Sequence, residues 1–220
     1  MNERIVSRNS YEGVLSTNKV LRNTYFLLSM TLLWSAVVAG VAMAMNLPPV
    51  HWIVTLVGFY GLLFLTERNR DSSVGLVCVF ALTGFMGYTL GPILNMYVGA
   101  GLGSAIVPAL GGTALTFLAC SAYALTTKRD LSFLNGVMLA GFIAIIVAVI
   151  ANIFLQMSVL SLVISGMFVL FSSAAILLTT QSIVRGGETN YISATVTLYV
   201  SIYNLFLSLL QILGVVNSND

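Results

Sequence analysis

The sequence predicts an all-α polytopic membrane protein of seven transmembrane helices, with the N-terminus in and the C-terminus out. Three observations carry this. The 220 residues are 58% hydrophobic and 7% charged, where a soluble domain would be about a quarter charged. Apolar runs fall at about 24–45, 50–66, 73–97, 104–126, 132–155, 158–181 and 191–215. Each run has the roughly 17–25 residues that a helix needs to cross about 30 Å of hydrocarbon. All nine lysines and arginines lie in the N-terminal segment or in alternate gaps, and basic residues in short loops mark the cytoplasmic side.

The elements follow in order. Residues 1–23 form a polar cytoplasmic tail with Arg4, Arg8, Lys19 and Arg22 beside Glu3 and Glu12. It has too little apolar surface to fold alone, and a cytosolic unfoldase could grip it. Residues 24–215 form the transmembrane domain, and 216–220 a short tail on the far side. Ala42-Met43-Ala44 looks like a small-residue cleavage site. The polar region and apolar run before it are too long for a signal peptide, so helix one is expected to stay. Helix two opens at His51 and Trp52, read as interfacial, and is followed by Arg68 and Arg70.

Helix three carries Gly84, Gly87, Tyr88, Gly91 and Asn95 on one side, a close-packing face of the small-residue kind. Near its outer end Gly91-Pro92 either kinks the helix or ends it. Cys78 and Cys120 lie inside spans and read as buried thiols packing as small apolar groups, without metal spacing. Lys128 and Arg129 separate helix four from helix five. Helix five repeats Gly136, Ala140, Ala144, Ala148 and then Asn152, a second candidate packing face. Helix six has Ser165, Ser172 and Thr179, one per heptad, ahead of Arg185.

Helix seven has the clearest pattern. Ser193, Thr197, Ser201, Asn204, Ser208 and Gln211 follow at steps of 4, 4, 3, 4 and 3, which places them along one helical face. Lipid offers these groups no partner, so the face turns toward other helices or toward an enclosed polar cavity. Both readings stay open at this point.

Much chemistry is excluded. His51 is the only histidine, no Asp or Glu lies within the apolar runs, and no Gly-x-Ser-x-Gly or His-Glu-x-x-His occurs. Both lysines, Lys19 and Lys128, fall in cytoplasmic segments, so a retinal Schiff base has no anchor. The chain reads as no enzyme, with no cofactor and no metal. Its net charge of +2 comes from loops and reports topology, not nucleic-acid binding. The lipid bilayer is the expected surrounding.

Three segments carry a resemblance: 19–29 (Lys19-Val20-Leu21-Arg22-Asn23 through Ser29), 84–95 (Gly84 through Gly91-Pro92-Ile93-Leu94-Asn95) and 186–192 (Gly186-Gly187-Glu188-Thr189-Asn190-Tyr191-Ile192). With the seven spans, they resemble the Bax-inhibitor family, and its proteobacterial branch most closely, over essentially the whole chain. The resemblance implies a bundle with the seventh helix central. For that branch it implies an inner-membrane protein that associates with the membrane-anchored protease FtsH and restrains degradation of membrane proteins. For other members it implies a calcium leak gated by two aspartates, on helices six and seven, that share a proton. The family's Asp-Thr-Gln run reads here Thr179-Thr180-Gln181, and the helix-seven aspartate aligns with Ser201. Neither hydroxyl titrates near neutral pH, so a calcium or cation leak here would lack the switch. A helix-two arginine partners the acids in some members, and Arg68 is the counterpart. The candidate polar cavity is thus Thr179, Ser201, Thr197, Asn204 and Asn95, with Arg68 beside it.

Overall fold

A computed structural model describes the backbone from Asn2 to Ser218 and side chains from Lys19 to Ser218. Seven α-helices are found: α1 (Asn2–Ala44), α2 (Trp52–Arg68), α3 (Ser73–Gly99), α4 (Ile106–Thr126), α5 (Leu134–Leu155), α6 (Ser158–Val184) and α7 (Tyr191–Asn217). A single 3-10 turn, Gly103–Ala105, leads into α4. Each apolar run has become a helix because lipid leaves backbone groups no partner outside the segment itself. Six helices are long and apolar enough to cross a membrane, with α1 counted from Lys19. The seventh, α2, has 17 residues, or about 25 Å of rise.

The helix ends show why the chain turns where it does. Asn46, Gly101 and Gly186 take positive φ of 49°, 77° and 74°. In each case the next amide reaches back to the last turn: Leu47 to Ala42, Leu102 to Tyr97 and Gly187 to Ser182, at 3.0, 2.8 and 2.8 Å. This is the left-handed closure that satisfies terminal carbonyls. At the start of α2, His51 Nδ1 accepts from the Ile53 amide at 3.4 Å. Its exposed ring lies 6.0 Å from that of Trp52.

The helices group into two compact units: residues up to Pro92 with Thr179–Tyr199, and Ile93–Leu178 with the segment from Val200. In the first unit α1 and α3 meet backbone to backbone. A Cβ at Gly87 would collide with the Ser35 carbonyl. One at Gly91 would lie 2.6 Å from the Ala42 Cβ and 2.9 Å from the Met43 nitrogen. Only a glycine admits that approach, so the small face of helix three packs as its spacing suggests. In the second unit Gly112 takes Leu209 and Gly214 takes the Tyr97 ring in the same way.

α1 begins at Asn2 and so runs without a break through the polar segment ahead of the apolar run. Extending an existing helix needs no new nucleus, and no proline interrupts the chain before Pro48. Of the two outcomes open at Pro92, an end to the helix is not found, since α3 continues to Gly99. Two expectations are corrected. The first three residues of the helix-five stripe, Gly136, Ala140 and Ala144, are exposed while Ala148 and Asn152 are half-buried, and the buried residue of α5 is Ile145. Finally, Cys78 and Cys120 are free but only half-buried. Met1 and the last two residues of the proposed 216–220 tail lie outside the described residues, and α7 takes up its start.

Candidate functional site

The N-terminal half of α7 is held by a polar collar within the first unit. The collar begins with Asn190, whose Oδ1 accepts from the amides of Ile192 and Ser193 at 2.9 and 3.1 Å. This caps two of the donors that a helix start leaves unpaired. The other end of the same side chain donates to the Arg70 carbonyl and to Asp71 Oδ1, at 3.1 and 2.7 Å. Glu188 Oε1 in turn accepts from the Asn190 amide at 2.8 Å. One asparagine thus starts α7 and pins the α2–α3 turn to it.

Glu67, in the last turn of α2, accepts from the Ser193 hydroxyl at 2.8 and 3.0 Å. Arg70 lies 3.5 Å from the same carboxylate. A carboxylate acceptor makes this a stronger bond than one between neutral groups. Two residues further along, Thr195 donates to the Tyr191 carbonyl at 2.7 Å and touches the Thr24 carbonyl of α1 at 3.3 Å. Deeper still, the Tyr199 hydroxyl joins Ser35 of α1 and donates to the Thr83 carbonyl of α3 at 3.3 Å. Ser35, Thr83 and Tyr199 are all buried, so this node fastens three helices where no water competes. Thr180 of α6 is fully buried, and its hydroxyl lies 3.4 Å from that of Tyr25.

The sequence-predicted residues divide between the units. Arg68, Thr179 and Thr197 belong to the first, and Asn95, Ser201 and Asn204 to the second. Thr179 is half-buried, as are Asn95 and Asn204, and Ser201 is buried. Two of the six are exposed. Thr197 is exposed, although residues 192–196 and 198–199 around it are buried. A helical repeat shows which residues share a face but not what covers each turn. Arg68 is exposed as well, and the α2 side chain that reaches α7 is its neighbour Glu67. The sequence reading ended helix two at 66 and so passed over it. Tyr199 was missed because it lies off the stripe, although a tyrosine hydroxyl inside a span always needs a partner.

In the second unit a side-chain hydrogen bond joins α6 to α7. Ser165 donates to Gln211 Oε1 at 2.7 Å. Ser165, Ser172 and Ser208 are buried. Among the described residues no three His, Cys, Asp or Glu side chains come together to hold a metal ion.

Comparison with known proteins shows the family. Residues 17–219 match the family model described as "Inhibitor of apoptosis-promoting Bax1". The chain is 56% identical over 213 residues to "Modulator of FtsH protease YccA" of Escherichia coli K12, covering 96% of this chain and 97% of that one. An equally similar protein of Escherichia coli O6:H1 is named "Inner membrane protein YccA". An uncharacterized protein of Pseudomonas aeruginosa is 58% identical over 202 residues, 91% of either chain. An uncharacterized membrane protein of Vibrio cholerae is 48% identical over the whole of both. With six helices fit to span a bilayer and a family match over nearly its full length, this multi-pass membrane protein belongs to the Bax-inhibitor family.

Proposed function

We propose that this inner-membrane protein associates with the FtsH protease and restrains its degradation of other membrane proteins. The observation that carries the reading is the 56% identity, end to end, with a relative named as modulator of that protease. The fold is compatible with a binding role. Several of its polar side chains fasten helices together, with Glu67, Asn190 and Tyr199 each tied to a neighbour. Seven crossings with a cytoplasmic N-terminus belong to the same proposal, since Arg68, Arg70, Lys128, Arg129 and Arg185 then share one side. α7 has the largest buried share of the six long spans, 44%, as a central helix should.

The test is affinity capture from mild detergent, followed by a degradation assay in proteoliposomes holding FtsH and a membrane substrate. Recovery of FtsH and slower substrate loss are expected. Reproducible absence of FtsH would overturn the reading.

One observation favours a cation leak as the second reading: the exposed Thr197 amid buried neighbours on a polar face. With Thr179 and Ser201 at the aspartate positions, such a leak would not switch between about pH 6 and 8, since neither hydroxyl changes charge there. Calcium flux into sealed proteoliposomes separates the readings. Thr179→Asp with Ser201→Asp should create pH dependence only if the leak exists.

A further inference from the structure

A second polar site lies at the other end of the helices, away from the basic loops. In the second unit Val149, Asn152, Ile153, Ser161, Ile164 and Gln211 line a cleft of about 220 Å³ that is open on one side. Asn152 lies three residues before the end of α5, and Ser161 three residues after the start of α6. That is about 4.5 Å along the axis from either helix end.

The hydrogen bonds of the cleft are unbalanced. Gln211 Oε1 accepts from Ser165 at 2.7 Å. Asn152 Oδ1 accepts from the Met157 amide at 3.1 Å, and the Ser161 oxygen accepts from Asn152 Nδ2 at 2.8 Å. Each of these side-chain oxygens thus already accepts one bond and keeps one lone pair. The Gln211 amide hydrogens, the Ser161 hydroxyl hydrogen and the second Asn152 hydrogen have no acceptor among the described residues. Donors therefore outnumber the acceptor sites left in the cleft, and no charged side chain lines it. Val149 and Ile153 are exposed on its wall.

We propose that this cleft holds the acceptor oxygens of a membrane phospholipid, its phosphate or glycerol ester, with an acyl chain along Val149 and Ile153. Donors left bare near hydrocarbon are costly, and a ligand that presents only oxygens completes them. The apolar wall selects a lipid over free phosphate.

The test titrates the full chain in mild detergent with short-chain phosphatidylglycerol, and separately with inorganic phosphate, reading bound adducts by native mass spectrometry. Gln211→Glu keeps the acceptor for Ser165 but replaces the free donors with an anion. Ser161→Ala removes one donor with little change of shape. Lipid binding by the parent should weaken about tenfold or more in Gln211→Glu, and measurably in Ser161→Ala. Inorganic phosphate should not compete. Equal lipid binding by parent and variants would overturn the proposal, as would no lipid binding by the parent or displacement of lipid by phosphate alone. Should Gln211→Glu fail to fold, Ser161→Ala decides.

Discussion

The Ser193 hydroxyl, in the first turn of α7, donates to both carboxylate oxygens of Glu67 in the last turn of α2. Through this contact a short, thinly covered helix is tied to the most buried one. Among the residues of α2, Thr66 is the one that is buried, so packing alone holds this helix weakly.

Ser193→Ala should therefore loosen α2 specifically. Hydrogen bonds to charged groups contribute about 1.5–3 kcal/mol, and partial exposure of Glu67 places this one near the lower end. Thermal melting in detergent should show a drop for Ser193→Ala and for Glu67→Ala, and a smaller one for Glu67→Gln. Equal melting of all three with the parent would mean that the contact does not hold α2.

Gly91 and Gly61 make a matched pair of tests on helix glycines. Gly91→Ala forces a methyl into the α1 backbone and should cost about 1–3 kcal/mol by overpacking. Gly61 has nothing within 4 Å of its Cβ position, so Gly61→Ala should be neutral or slightly stabilising. The difference in melting temperature between the two variants is the measurement.

The polar face of α7 should respond unevenly to leucine. Ser201 is 6% exposed, and Ser201→Leu should cost about 1–3 kcal/mol through overpacking. Thr197 is exposed, so Thr197→Leu should leave detergent stability nearly unchanged. Similar losses for both would show that Thr197 is covered in the bilayer.

The proposed topology is checked with alkaline phosphatase fusions. A fusion after Val216 should be active and one after Lys128 inactive, since the enzyme works only outside the cytoplasm. The reverse pattern would move the basic loops to the wrong side and remove the grounds for a cytoplasmic partner.

Much of this was legible in the residues. Seven apolar runs gave seven helices to within a few residues at nearly every end, because backbone in lipid has one economical solution. The small face of α3 and the polar face of α7 were readable from spacing, but not that Gly87 and Gly91 meet α1 or that Gln211 meets Ser165. Other features depend on which neighbour covers a face, and spacing is silent about that. Gly136, Ala140 and Ala144 recur as regularly as the glycines of α3, yet all three are exposed. Glu67 escaped notice because it lies just past its apolar run, where charge ordinarily means solvent.

The bareness of α5 has a consequence for how the molecule meets its surroundings. Only 6% of its spanning window is buried, against 22–44% for the other long spans. Its 22 residues rise about 33 Å, close to the thickness of the hydrocarbon layer. With so little of it covered by the rest of the chain, its tilt and height should follow bilayer thickness more closely than those of the other spans do. A thinner or thicker membrane should move α5 before it moves any other span.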